Sequence, residues 1–260
     1  MEAKRIDINC DMGESYGAYR LGMDAEVIRY ITSANVACGY HAGDPQVMDR
    51  TVKLAKEHGV GVGAHPGYPD LVGFGRRNME CTPEEVRDFM IYQIGALQGF
   101  CAFHGVPLQH VKPHGSLYNM CVGNETLSVA VAEAIAAVDP GLIWVTLGGA
   151  QADLAKKVAA EAGIRVLFEA FPDRAYTPDG KLASRKLPGA VIEDPKRACE
   201  QALRMAKESA VIALDGTRIE MEVHTLCVHG DNPSAVDHVK TIRQALEAEG
   251  LRIVRVGAPD

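Results

Sequence analysis

The stretch IDINCDMGE, residues 6–14, decides how this chain is read. Ile6, Ile8 and Cys10 are apolar and alternate with Asp7, Asn9 and Asp11. In a strand, residues i, i+2 and i+4 share a face. One face of this strand is therefore apolar, and the other carries two carboxylates and an amide. An antiparallel sheet with one wet side could turn such a face to water. A strand covered on both sides would have to bury the carboxylates, at high cost unless they are paired.

The rest of the chain selects the second case. Asp44-Pro45 opens a helical segment that runs to Gly59, and Thr82-Pro83-Glu84-Glu85 is a capping box with proline at the first helical position. Asp194-Pro195 and Asn232-Pro233 repeat the cap-then-proline signal, and further helical patterns cover about 24–33, 125–137 and 150–162. Between them lie short strand-like runs: IDINCD, SANVACGYH, GVGVGAH, QHVKPH, LIWVTLG, RVLFEAF and TLCVHGD. Strand then helix, repeated, predicts βα units around a parallel sheet in a single domain spanning 1–260. Two elements break the rhythm. Residues 171–193 form a long loop rich in charge and proline, and 211–219 read as a hairpin turning at Asp215-Gly216.

Parity then sorts the side chains. Asn35, Ala37, Gly39 and His41 share a face of the second strand; Gly61, Gly63 and His65 of the third; His110, Lys112 and His114 of the fourth. Glu169 opposes Phe168 and Ala170, and Cys227, His229 and Asp231 oppose Leu226 and Val228. Each strand has one apolar face suited to a helix layer. The other faces gather ionisable groups, mostly at the C-terminal ends. In (β/α) barrels that end carries the active site. The polar face of 6–14 is therefore expected to point into a closed barrel, with Asp11, His41, His65, Lys112, His114, Glu169 and His229 together at its mouth.

Composition narrows the function. The 260 residues are 47% hydrophobic, enough for a large core, and net charge is −7 from 27 basic and 34 acidic residues. No basic run or aromatic-basic stripe marks a nucleic-acid partner. No apolar run reaches roughly 18 residues, so no membrane span is expected. The N-terminal residues show no charged-then-apolar leader pattern, and a cytoplasmic location is expected. The seven cysteines form no C-x-x-C pair, which argues against a disulfide framework or a structural zinc site.

A lone histidine is more often structural than catalytic. His41, His65, His114 and His229 differ, because each follows a short apolar strand and precedes Gly, Pro or a small residue. Lys112 could snorkel or neutralise an inward carboxylate; as a functional group it would be an electrostatic clamp or a proton donor. The glycines and arginines of Gly73-Phe74-Gly75-Arg76-Arg77 suit an anion-binding loop, or are simply exposed. Asp173, Arg174 and Tyr176 follow Glu169 in the long loop, with Arg185 further on. Gly59–Gly63 resembles a phosphate loop only superficially. It lacks G-x-x-x-x-G-K-[ST] and a full G-x-G-x-x-G, and close strand packing explains it better.

NCDMGE, ANVACGYHAGDP, GAHPGYPDLVGFGRR, VKPHGSLYN, EAFPDRAY and CVHGDNP resemble, in order, the motifs of the LamB/YcsF family. The resemblance runs from about Ile6 to the C-terminal helix. Ser116 and Pro172 stand where the family usually has alanine, and neither change removes an ionisable group. The resemblance implies an irregular seven-stranded (β/α) barrel of the glycoside hydrolase/deacetylase type. It also implies a role as the A component of an ATP-dependent 5-oxoprolinase. With partner subunits B and C, such an enzyme converts 5-oxo-L-proline, ATP and water to L-glutamate, ADP and phosphate. The catalytic set would then be the mouth residues named above, with Asn9, Arg76, Arg77, Asp173, Arg174, Arg185 and Asp231 binding substrate. ATP would be a cosubstrate handled with the partners, since the chain has no nucleotide loop of its own. Two other readings fit the residues. Asp11 with two of His41, His65 and His114 could hold a divalent metal in a stand-alone deacetylase or amidohydrolase. Alternatively, the chain could be a non-catalytic binding component of a complex, although its dense ionisable cluster argues against that.

Overall fold

The computed structural model describes residues 4–149, 151–229 and 233–258. Strands β1 (Arg5–Met12), β2 (Ser33–Ala37), β3 (Gly61–His65), β4 (Leu108–Val111), β5 (Ile143–Leu147) and β6 (Arg165–Ala170) lie side by side in chain order. The short antiparallel pair β7 (Ala210–Ile212) and β8 (Arg218–Glu220) forms the expected hairpin beside them. Strand β9 (Thr225–Val228) then pairs in parallel with both β6 and β1. The sheet therefore closes on itself as the expected seven-stranded parallel barrel. Strand β10 (Arg252–Ile253) adds to the N-terminal end of β1 outside that ring.

Helices α2 (Pro45–His58), α3 (Pro83–His104), α5 (Glu125–Val138), α6 (Ala152–Ala162), α7 (Pro195–Glu208) and α8 (Pro233–Ala248) alternate with the strands, with short α1 (Asp24–Val27) and α4 (Gly115–Cys121) between. Three of the four capping signals behave as the residues predict, and the fourth, Asn232, lies outside the described residues. Asp44 accepts from Val47 N, and Thr82 and Glu85 bond reciprocally. The outward faces of the strands pack with these helices in one continuous apolar core. No single helix among the described residues is long and apolar enough to cross a membrane. All seven cysteines are unpaired thiols.

Two expectations need correction. The helix expected over 24–33 stops early: α1 gives way to a 3-10 turn, and Ser33 begins β2. The Ser33 hydroxyl donates to Asp7 Oδ1 at 2.7 Å, so the sheet claims that residue. The second strand, expected to reach His41, ends at Ala37. The chain turns through Gly39, at φ 97°, a conformation only glycine adopts freely. His41 is therefore brought to the mouth by a loop, not by strand parity, and β4 and β9 likewise end at Val111 and Val228, short of Lys112, His114 and His229.

Close packing explains Gly63. A Cβ there would lie 2.0 Å from His110 Nε2. The missing side chain is the space in which the His110 ring sits and reaches Asn35 Oδ1 at 2.7 Å.

Candidate active site

Strand β1 carries three polar residues up the barrel interior, and each meets a different environment. At the closed end, Asp7 accepts from the hydroxyls of Thr32, Ser33 and Thr225 and from Val256 N. The segment after β10 thus plugs this end, and Val256 packs on Ile143 and Val145. Burial raises the Asp7 pKa to about 6 in spite of these donors. One level up, Asn9 accepts from Asn35 Nδ2 at 2.7 Å and donates to Thr225 Oγ1 at 2.6 Å. At the mouth, Asp11 meets cations.

Lys112 is the centre of that mouth. Its Nζ lies 2.9 Å from Asp11 Oδ1 and 2.6 Å from Glu169 Oε2, with the Cys227 thiol at 3.2 Å. Lys112 is only 2% exposed and Glu169 not at all. Burial works against the ammonium, yet Asp11 above all, with Glu169, holds its pKa well above the usual lysine range. Burial also opposes ionisation of Asp11, but positive charge beside it, at His65 and on Lys112, outweighs it and holds the carboxyl well below its usual range. Tyr118 donates to Glu169 Oε1 at 3.0 Å, and burial and then Glu169 push the phenol pKa well up. The Lys112 ammonium also faces the Phe171 ring, 5.4 Å from its centroid.

Three histidines stand beside this ion centre. His65 Nδ1 is 2.7 Å from the Lys112 carbonyl and its Nε2 is 3.3 Å from Asp11 Oδ2. His114 Nε2 is 2.8 Å from the Phe74 carbonyl, and its Nδ1 is 2.9 Å from His65 Nε2. His41 stacks flat on His114, ring centroids 3.6 Å apart. Both ring nitrogens of His41 are buried without a hydrogen-bond partner. Burial lowers the His41 and His114 pKa values well below the usual histidine range, helped for His114 by His41 and for both by His65. The loop after β3 is shaped around these rings. Phe74 holds a left-handed φ of 54°, which costs a non-glycine residue on the order of 1 kcal/mol, and this aims its carbonyl at His114. At Gly75, a Cβ would lie 2.8 Å from both His41 and His114.

Glu14 completes the group. Its Oε1 is 3.8 Å from His41 Nε2 and 3.8 Å from His114 Nδ1. Burial, then the charge of Asp11, raises its pKa. Glu14, His41, His65 and His114 each offer one ligand atom, all within 4.8 Å of one another, so this cluster has the composition and spacing to hold a metal ion.

A cavity of about 570 Å3 opens above Asp11, His65, Lys112 and His114. On its far wall, His229 Nδ1 bonds the Asp173 carboxylate, and Arg185 donates to His229 Nε2 at 3.1 Å. Arg185 has only donors, so this contact requires a lone pair on Nε2 and a proton on Nδ1. Arg76 and Arg174 also line the cavity. The Arg174 guanidinium is occupied, however, donating to the carbonyls of Ala183 and Ala190 and holding the long loop in shape.

The structure thus brings Asp11, His41, His65, Lys112, His114, Glu169 and His229 to one end of the barrel, with Arg76, Asp173, Arg174 and Arg185 around them. It does not bring two others to the cavity. Asn9 is buried beneath Lys112 in the interior amide ladder. Arg77 folds back onto Asp70 in its own loop, with its Nε 2.9 Å from Oδ1. Asp231 lies outside the described residues. Sequence reading missed Glu14, Tyr118 and Cys227 as neighbours of the charged centre. Glu14 and Tyr118 lie past their strand ends, where parity no longer applies. Cys227 shares the inward face of β9 but carries no charge to mark it.

Comparison with known proteins agrees with this architecture. The A component of a 5-oxoprolinase from Syntrophobacter fumaroxidans is 55% identical over 254 residues, covering 98% of this chain and 99% of that relative. Its counterpart from Pyrococcus abyssi is 56% identical over 250 residues, 96% and 97% of the two chains. The crystal structure of a lactam utilization protein from Thermus thermophilus superposes with a TM-score of 0.90 at 48% identity, over 97% of this chain and all of that one. A description of the LamB/YcsF family matches residues 6–259. With motifs, fold and near-complete relatives in agreement, this chain belongs to the LamB/YcsF family.

Proposed function

We propose that this chain is the A component of an ATP-dependent 5-oxoprolinase. Acting in the cytoplasm with partner subunits B and C, it opens 5-oxo-L-proline to L-glutamate while ATP is hydrolysed to ADP and phosphate. The observation that carries the reading is the buried Asp11–Lys112–Glu169 line at the floor of a cavity large enough for a small cyclic amide. The near-complete relatives, named as one component of a multisubunit 5-oxoprolinase, favour a member of a complex over a stand-alone enzyme.

A five-membered lactam is an unstrained, unreactive amide. Phosphorylation of its oxygen, at the expense of ATP, makes the ring carbon open to attack by water. The residues divide this work by their charge state. The protonated Lys112 offers a fixed positive charge for a phosphoryl or carboxylate oxygen. Arg76 and Arg185 extend that positive field toward the cavity rim. Asp11, held ionised by its cations, clamps Lys112 and is a weak base. A carboxylate at the mouth takes a proton from the attacking water and returns it to the leaving nitrogen. The partner subunits supply the nucleotide chemistry, since no phosphate loop occurs in this chain.

Reconstitution tests the reading. The purified chain alone should not produce glutamate and ADP from 5-oxoproline and ATP, and adding B and C should restore turnover. Robust turnover by the isolated chain, or none by the full complex, would reject the assignment.

A further inference from the structure

The hydrogen bonds of His65 and His114 determine where their protons are. A backbone carbonyl only accepts, so His65 must donate from Nδ1 to the Lys112 carbonyl, and His114 must donate from Nε2 to the Phe74 carbonyl. In the neutral rings, His65 Nε2 and His114 Nδ1 are then both bare lone pairs. They stand 2.9 Å apart. Asp11 Oδ2 is 3.3 Å from the first, and Glu14 Oε1 is 3.8 Å from the second. Four electron-rich atoms converge with no hydrogen between the two nitrogens. Such a place is stable only with a cation in it.

Two cations qualify: a proton shared by the rings, or a metal ion. His114 stacks flat on His41, whose nitrogens have no hydrogen-bond partner, and a metal ion would engage these neutral rings where one shared proton engages only two. Two ligand atoms each about 2.1 Å from one ion lie about 3.0 to 3.4 Å apart for angles between a right angle and the tetrahedral one, and the two nitrogens here, at 2.9 Å, stand close to that range. Donation of the second ring N–H to a backbone carbonyl is also the usual way a metal-bound histidine is oriented. His41 adds a separate sign. It is fully buried against His114, and neither of its nitrogens has a hydrogen-bond partner.

We infer that His65 Nε2, His114 Nδ1 and the Glu14 carboxylate bind a divalent transition-metal ion of the zinc class, with His41 as an additional donor beside them. The assignment stands apart from the reaction proposed above. A two-histidine, one-glutamate set leaves coordination positions open toward the cavity, and an ion there would supply Lewis acidity next to Lys112.

The test uses the full-length chain, stripped with a chelator, dialysed, and offered Zn2+, Co2+ or Mn2+ in turn. Metal content is read by elemental analysis, and Co2+ loading by its visible absorption, which reports nitrogen coordination. The expected result is close to one ion per chain, with a higher melting temperature on loading. His65→Ala and His114→Ala should lose the bound ion, and Glu14→Gln should weaken binding at least tenfold, while circular dichroism shows each variant folded. Should an alanine variant fail to fold, His114→Gln, which keeps much of the ring's volume, replaces it and should also lose the ion. Binding unchanged in these variants would overturn the assignment. So would a wild-type chain that takes up none of the three ions and shows, by NMR, one proton shared between His65 and His114. None of these readouts depends on turnover, so loss of the metal site and loss of the 5-oxoprolinase reading would be told apart.

Discussion

Asp7 and Asp11 are the same residue type, on the same strand and the same face, two side-chain repeats apart. Asp7 sits at the closed end, surrounded by neutral donors and sealed by the segment around Val256. Asp11 sits at the open end, between the Lys112 ammonium and His65, under a cavity. Their pKa values move in opposite directions, up for Asp7 and down for Asp11. Alternation along a strand decides only that a carboxylate points inward. Its partners decide whether it holds the barrel shut or prepares it for chemistry.

The largest expected effect comes from removing the cation that separates the two cases. Lys112→Met should slow the reconstituted complex by about a hundredfold, roughly 3 kcal/mol of lost charge stabilisation. It should also destabilise the chain by on the order of 3–5 kcal/mol, because Glu169 is left buried without its partner. Adding Glu169→Gln should recover much of the stability, measured by chemical denaturation, and none of the turnover. A fully active Lys112→Met complex would reduce Lys112 to a neutraliser of nearby carboxylates.

Next in size is the pH dependence of stability. A folded pKa of about 6 for Asp7, against an ordinary value of 3.8, means the fold favours the protonated acid. Its contribution is fully present below the ordinary pKa and is lost as pH rises through about 6, to a total of about 3 kcal/mol. Asp24 is shifted in the same direction, so the comparison must be made against an Asp7→Asn chain. That variant should show a flatter stability profile between about pH 4 and 7. Asp11 has the opposite sign: its contribution is present above the ordinary carboxylate pKa and is lost as pH falls through its depressed folded value. An Asp7→Asn profile that matches wild type would mean the four donors stabilise the carboxylate more than burial opposes it.

The smallest effect is expected at the rim. Arg185 is exposed, lines the cavity rim and donates to His229. Arg185→Gln should raise KM with kcat within about threefold of wild type, a change of less than roughly 1 kcal/mol at the reacting centre. A large fall in kcat would move Arg185 from the rim into the chemistry.

Much of this is legible in the residues alone. The alternation in IDINCDMGE and the parity of His65, Lys112 and Glu169 specify an inward polar face, because a period of two leaves few alternatives. Gly63 reads as close packing, and the His110 ring occupies the space it leaves. The legible part ends where the strands end. His41 arrives through a turn at Gly39, and Glu14 lies beyond β1, so neither position follows from alternation. Arg77 shows the reverse failure. Its loop has the composition of an anion site, but Asp70, seven residues earlier, claims the guanidinium. The plug at the closed end depends on a contact between Asp7 and Val256, at opposite ends of the chain, which no local pattern records.

The most direct test of the central claim compares the two aspartates in one assay. Glutamate formation from 5-oxoproline and ATP is measured in the complex reconstituted with B and C, per folded chain, for Asp7→Asn and Asp11→Asn. Asp11→Asn should lower kcat by on the order of thirtyfold or more, because it unclamps Lys112 at the reacting centre. Asp7→Asn should stay within about twofold of wild type, its effect confined to stability. Equal losses in the two variants, or a larger one for Asp7→Asn, would contradict the division between a barrel end that holds the fold and a barrel end that does the chemistry.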